Sequence, residues 1–343
     1  MKRPLVWIGV PLLLITAACS GVAYWAWCDM QMALDRRIFL HEYSELFEIE
    51  RGTSVAEIAR RMHELGWLTK RLYLRLEARR LGIGSQLKAG IYEIYDGTSP
   101  RKLLNKFVHG EVKIFVVTFI EGSIFSEMRN RLESNRHLRQ TAAGKDAAWI
   151  MARLGADPAH AEGRFFPSTY HFSAGDSDID ILRRAHAQMV EILAFHWRSR
   201  APELPYDSPD DALIMASIIE KETAREDERA QIAGVFVERL RRGMKLQTDP
   251  TVIYGMGAAF DGNLRRRDLQ RDTVYNTYTR YGLPPTPIAM PGEDSIRAAL
   301  HPTAGNFLYF VGRGDGSHQF SATLREHNVA VRRYQLSALK ARD

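Results

Sequence analysis

Residues Pro4 to Cys28 form a run of 25 positions without one charged side chain, and this run constrains the chain more than any other feature. As a helix rising ~1.5 Å per residue it is about 37 Å long, more than the ~30 Å hydrocarbon core of a bilayer. Tyr24, Trp25 and Trp27 stand near its far end, where interfacial aromatics are expected. A cleaved signal peptide is the main rival, but its apolar region runs only ~7–15 residues before a small-residue site. Lipoprotein processing at Cys19 is the other rival, because Thr16-Ala17-Ala18-Cys19 partly matches a lipobox. Thr rather than Leu at its first position weakens that match. A retained anchor through residues 4–28 is the better reading. Lys2, Arg3 and the free amino group favour a cytoplasmic N-terminus by the positive-inside rule, a signal that Arg36 and Arg37 blunt. No second run of this kind follows, so residues 29–343 are expected outside the inner membrane.

That body has the composition of a globular protein, 45% hydrophobic and 26% charged, which excludes a disordered or low-complexity chain. Cys19 and Cys28 are the only cysteines. A disulfide framework, a thiolate metal site and a cysteine nucleophile are therefore excluded beyond the anchor. The net charge is +6, two of it from Lys2 and Arg3. An excess of this size suits an anionic polymer no better than it suits ordinary solubility. Zinc-finger spacing, a basic helix and an RNP-like motif are all missing, so nucleic acid is not an expected partner. The G-x-S-x-G elbow, the P-loop and H-E-x-x-H are missing too, and Gly255-Met256-Gly257 lacks the third glycine of a dinucleotide fingerprint. The 11 histidines are scattered, none pairing at ligand spacing on a predicted helix. Neither a metal nor a cofactor is expected.

One local plan, a strand ending at Gly and a Ser/Thr-led helix, occurs three times. Phe47 to Gly52 leads into a helix with Val55, Ile58, Ala59 and Met62 on one face. Ile91 to Gly97 leads through Ser99-Pro100 into Leu103, Leu104 and Phe107. Ile114 to Gly122-Ser123 leads into Phe125, Met128 and Leu132. The glycine intervals are irregular, so this is not a solenoid. The fold class is α+β: a small module over 45–110 after a linker at 29–44, then a larger region over 111–343. Residues 133–210 read as helices and loops, including the aromatic-dense Glu162 to Phe172. Ser208-Pro209-Asp210-Asp211 opens a helix to about Ala224. A second helix carries Ile232, Phe236 and Leu240 and stops at Arg241-Arg242-Gly243. Asp249-Pro250 is a further cap-and-start, 307–320 a β-hairpin, and the last 20 residues a closing helix.

The carboxylate in the least ordinary setting is Glu220, in Ile218-Ile219-Glu220-Lys221-Glu222-Thr223. Leu213, Ala216, Ser217, Glu220, Thr223 and Ala224 share one helical face, mostly small or apolar, so Glu220 is expected to be partly desolvated and able to donate a proton. Glu222 lies ~200° around the helix and is expected on a solvated face beside Arg225 or Glu226. By spacing alone, the plainer reading of Glu220 is a charge at a helix interface. Gln247-Thr248-Asp249-Pro250-Thr251 beside Tyr254, and Tyr275-Asn276-Thr277-Tyr278-Thr279, are polar and aromatic runs suited to a groove. Taken singly, Asp249 reads as a helix cap and the tyrosines as core or rim.

Together these segments resemble the YceG-like (MltG) family of endolytic murein transglycosylases. The resemblance is carried by Ala216-Ser217-Ile218-Ile219-Glu220-Lys221-Glu222-Thr223, Leu246-Gln247-Thr248-Asp249-Pro250-Thr251-Val252-Ile253-Tyr254-Gly255, Tyr275-Asn276-Thr277-Tyr278 and Gly282-Leu283-Pro284-Pro285. It extends to Arg239-Leu240, His301-Pro302, Tyr309-Phe310, His327-Asn328 and Glu162-Gly163 with Phe166-Pro167, in family order over nearly the whole chain. Arg164-Phe165 stands where the family's aromatic loop would carry aromatics. The resemblance implies that Glu220 is the catalytic acid/base on a lysozyme-like helix. It further implies that Gln247, Asp249, Tyr254, Asn276 and Tyr278 hold the glycan, and that 45–110 is a LysM-like module. Peptidoglycan strands are then the substrate, cut between N-acetylmuramic acid and N-acetylglucosamine to leave 1,6-anhydro ends, with an inner-membrane anchor, a periplasmic body and peptidoglycan synthases as partners. A tethered non-catalytic peptidoglycan-binding scaffold and a lysozyme-type hydrolase are the alternatives.

Overall fold

The computed structural model describes residues 5–157 and 160–336, so Lys2, Arg3 and the end of the expected closing helix lie outside the described residues. The chain is a mixture of helix and sheet that divides into two compact units, residues 1–115 with 173–175, and 116–172 with 176–343.

The first unit begins with helix α1 (Leu5–Asp35). Its residues from Leu12 to Trp27 are exposed on all sides, including Leu13, Leu14, Val22 and Trp25, as an apolar helix without a protein partner must be. It is the one helix among the described residues long and apolar enough to cross a membrane, over Leu12–Asp35. Residues 29–44 are not a free linker. The helix runs on to Asp35, and Met30, Leu34 and Ile38 are buried in the unit's core. Around them stand β1 (Ser44–Ile49), α2 (Val55–Glu64), α3 (Arg71–Arg80), β2 (Gly90–Tyr95) and α4 (Pro100–His109). β1 and β2 pair antiparallel with Phe47 opposite Tyr92. Phe47, Tyr92 and Phe107 form an aromatic cluster, with ring centroids 5.7 Å apart for Phe47–Phe107 and 4.7 Å for Tyr92–Phe107. Ser54 and Ser99 cap α2 and α4 as expected, and Pro100 opens α4. α3, in a charged stretch without a readable amphipathic pattern, buries only Leu74, Glu77 and Ala78.

The boundary between the units falls within β3 (Ile114–Thr118). α5 (Phe125–Glu133) follows, and here the expected Ser123 cap is replaced. The N-cap is Ile124, whose N–H donates to Glu127 at 3.1 Å. After α6 (Ala147–Leu154) comes β4 (Thr169–Ser173), the partner of β3, where only loop was expected. Its alternation is real, with Tyr170 and Phe172 buried. Phe165, in the loop before it, is buried and stacks on Phe125, while Arg164 binds Asp210 through two 2.6 Å bonds.

α7 (Asp178–Arg198), α8 (Pro209–Glu222) and α9 (Glu226–Arg241) build the main core. α10 (Asp249–Met256), α11 (Arg266–Gln270) and α12 (Glu293–Leu300) follow, and α12 packs on α8 and α9. The chain then makes the expected hairpin of β5 (Tyr309–Gly312) and β6 (His318–Ser321) before α13 (Leu324–Val331). Ser208 and Asp211 close a reciprocal capping box at the start of α8. Every residue from Ala212 to Ile219 is buried, so α8 is the central helix of the unit and has no solvated side until its last turn.

Candidate active site

Helix α8 delivers two carboxyls at its C-terminal end, and they enter different surroundings. Glu220 accepts the Gly292 N–H at 2.9 Å and faces the Arg229 guanidinium at 3.9 Å. Glu121 lies beside it, its carboxyl pushed up by burial and then by the charge of Glu220. The Gly122 N–H bonds to the Met290 carbonyl and the Met290 N–H to the Ser123 carbonyl, clamping that segment to residue 292. Glu220 is thus spent on joining segments of the unit, and it does not line the cavity below.

Glu222 faces that cavity, a space of about 420 Å³ walled by Arg239, Gln247, Asp249, Tyr278, Tyr309 and His327. The expectation of a solvated Glu222 beside Arg225 or Glu226 is therefore corrected. In the last turn of α8 the solvated position is Lys221, while Glu222 turns to Thr248, and Arg225 binds Asp227 at 2.6 Å. The Thr248 hydroxyl donates to the Glu222 carboxylate. Thr248 is fixed in turn, its N–H on the Thr277 hydroxyl at 3.0 Å and its carbonyl accepting from Thr251 at 2.8 Å. Burial pushes the Glu222 carboxyl up to about 7; the Thr248 bond opposes this and the Asp249 charge adds to it. A carboxyl so poised can give a proton and take one back near neutral pH.

Asp249 is the first residue of α10 and not its cap, which is Thr248. Its carboxylate is free to accept the Tyr278 hydroxyl at 2.5 Å. Gln247 has φ +52, a left-handed conformation uncommon for a side-chain-bearing residue, and its N–H donates to the Thr277 carbonyl at 3.2 Å. Arg239 is buried and anchors both sides of the cavity, donating to the Leu246 and Leu308 carbonyls at 2.7 Å each. Its guanidinium lies 5.1 Å over the Tyr309 ring, which stacks on His327 at 5.2 Å. Burial, and then Arg239, pull His327 below the usual imidazole range, and its Nδ1 is buried without a partner among the described residues.

Two expected groove residues are elsewhere. Asn276 is fully buried; its amide donates to the Arg271 carbonyl at 2.7 Å and its oxygen accepts the Tyr278 N–H at 2.8 Å. It positions Tyr278 and has no atom left for a ligand. Tyr254 packs edge-on against Tyr275 and bonds Glu162 at 3.1 Å. Glu162, which also accepts the Phe125 N–H at 3.0 Å, is pushed up to about 7 by burial. Gln247, Asp249 and Tyr278 do converge with Glu222. Glu222, Thr248, Arg239, Tyr309 and His327 carried no site assignment from sequence, although all lie in the segments that carry the resemblance.

A carboxyl at the end of a buried helix, opening into a polar cavity with tyrosine walls, is the arrangement that acid/base chemistry by one carboxylate requires. The chain belongs to the YceG-like family, whose model matches residues 47–333. It is 32% identical over 267 residues to the endolytic murein transglycosylase of Bacillus subtilis, covering 73% of this chain and 74% of that protein. It is 25% identical over 338 residues to the endolytic murein transglycosylase of Streptococcus pneumoniae strain R6, covering 88% of this chain and 60% of that longer protein. The crystal structure of a yceG-like protein from Listeria monocytogenes superposes with a TM-score of 0.54 at 27% identity, covering 84% of this chain and 98% of that one.

Proposed function

We propose that the protein is an endolytic peptidoglycan lytic transglycosylase in which Glu222, and not Glu220, is the acid/base. The observation that carries this assignment is the Glu222 carboxyl in the cavity, held near neutrality by burial and reached by Thr248. Protonated Glu222 donates to the glycosidic oxygen between N-acetylmuramic acid and N-acetylglucosamine, and the bond from C1 to that oxygen breaks. The substrate's acetamido group steadies the positive charge at C1, so no protein nucleophile is needed. Glu222, now a carboxylate, takes the proton of the muramyl C6 hydroxyl as that oxygen closes on C1. The 1,6-anhydro end forms without water, and the enzyme returns to its starting protonation state. Gln247, Asp249, Tyr278 and Tyr309 hold the strand, Thr248 steadies the carboxylate, and Asn276 fixes Tyr278.

The remaining assignments belong to the same reading. The exposed apolar length of α1 supports an inner-membrane anchor with the body in the periplasm. The paired β1 and β2 with α2 and α3 between them serve as the LysM-like module. Incubating the full chain with uncrosslinked glycan strands should yield anhydro-muropeptides by mass spectrometry. Glu222→Gln should lower the rate by about 10²–10⁴-fold, the usual contribution of a general acid/base. Glu220→Gln keeps an oxygen for the Gly292 N–H and should retain measurable turnover. The reverse pattern would return the role to Glu220. Free reducing ends would make the protein a hydrolase, and binding without turnover would make it a scaffold.

A further inference from the structure

Helix α3 presents a surface that neither the core nor the proposed catalytic cleft uses. From Lys70 to Arg80 the sequence holds five cations and one acid, Glu77, which is buried and paired with Arg80 and Arg101. Arg71, Arg75 and Arg79 are exposed and make no ion pair among the described residues. Beside them Leu72 is 54% exposed and Leu76 42% exposed. At ~100° per residue these three arginines and two leucines occupy one continuous sector of about 140°. Leu74, Glu77 and Ala78, the buried residues, lie nearly opposite.

The contacts of α3 with α1 orient that sector. Tyr73 and Lys70 bond Asp29, and the Arg80 guanidinium lies 5.6 Å over the Trp27 ring. Tyr73 and Arg80 are about 10 Å apart along α3, while Trp27 and Asp29 are only about 3 Å apart along α1. The helix therefore crosses α1 instead of running along it. Its buried side faces a core containing Met30, Leu34 and Ile38, which lie further along α1. Its exposed sector accordingly points the other way, toward the exposed apolar length of α1 from Leu12 to Trp27.

We propose that α3 is an interfacial helix, seated on the bilayer that α1 crosses, with Arg71, Arg75 and Arg79 on anionic phospholipid headgroups and Leu72 and Leu76 in the acyl boundary. This inference rests on the reading of α1 as a membrane span. The charge is complementary to anionic lipid, and exposed leucines bordered by a row of arginines are the pattern of helices that lie in an interface.

The test uses the full chain in a Cys19→Ser, Cys28→Ser background, reconstituted in phosphatidylcholine vesicles with or without phosphatidylglycerol. A nitroxide at Leu76→Cys should collide with oxygen in preference to a water-soluble nickel reagent, whereas one at Asp207→Cys should favour the nickel reagent. Joint Arg71→Glu, Arg75→Glu and Arg79→Glu, all exposed positions, should return the Leu76 label to water. A label at Val22→Cys separates the two readings. Lipid contact at Val22 with water at Leu76 overturns the interfacial helix and leaves the span, and water at both overturns the span itself. Lipid contact at Leu76 that ignores both phosphatidylglycerol and the charge reversal overturns the anionic-headgroup assignment.

Discussion

Two neighbours pull the Glu222 carboxyl in opposite directions, and each can be removed without changing the shape of the cavity. Thr248 stabilises the ionised form through its hydroxyl, so Thr248→Val should raise the carboxyl's pKa. Asp249 disfavours the ionised form by its charge, so Asp249→Asn, which keeps an acceptor for Tyr278, should lower it. A general acid must start protonated, so wild-type kcat/KM should fall as pH rises through about 7. The alkaline limb should move up in the first variant and down in the second, by about half a pH unit or more, in a pH–rate profile. Glu162 makes a stability prediction of definite sign. Its folded value of about 7 stands above an ordinary 4.5, so the folded state holds the proton more tightly. Stability is then lost as pH rises from about 4.5 to about 7. Glu162→Gln should flatten that decline by on the order of 2 kcal/mol, read from denaturation at pH 5 and pH 8. What was legible in the sequence at this scale was the segment, with Glu220 expected as the acid/base and Glu222 proposed in its place from the cavity. Both glutamates sit in one short run, and only the depth of the helix around them decides which one meets a cavity.

That depth was written in α8 itself. Ala212 to Ile219 is apolar at every position but Ser217, which signals a helix buried all round, whereas a single apolar stripe presumes a solvated reverse side. Ser217 confirms it, accepting the Ile288 N–H at 3.0 Å while donating to the Ile214 carbonyl at 2.7 Å. The element ends were legible because they depend on local chemistry: Ser208 with Asp211, Pro100, and Gly243 after α9. β4 was obscured by the aromatics around it, and α3 by a charge content that masks its three buried positions. Tertiary contact also overrides propensity at Gly234, inside α9. Alanine in a helix interior is ordinarily favoured over glycine by about 1 kcal/mol. Here a Cβ would press into the Thr303 backbone carbonyl, so Gly234→Ala should instead destabilise, by about 1–3 kcal/mol in thermal or chemical unfolding.

On the scale of the molecule, the first unit is built on the last turns of its own membrane-length helix. Leu34 is fully buried there, and Leu34→Ala should cost that unit about 2–5 kcal/mol, visible as earlier proteolysis between residues 39 and 110 with catalysis of the second unit as the internal control. The apolar run was plain in the sequence, but its continuation past Cys28 was not, because Asp29 and Asp35 read as the start of a polar connection. In the fold those acids are held by Lys70 and Arg101, at 2.9 and 2.8 Å.

With α1 as the proposed membrane span, its unbroken passage into that core also sets the mechanics of the tether. A domain on a flexible stalk swings through many heights and tilts, and its surfaces meet the surroundings in all of them. Here the stalk and the first unit form one lever without a joint. Tilting the helix tilts the unit by the same angle, and lengthening the apolar run by one turn would lift it by about 5 Å with its heading nearly unchanged, whereas one added residue would turn it by ~100°. On that proposal, height and heading above the bilayer follow from the fold of the first unit and not from a flexible connection.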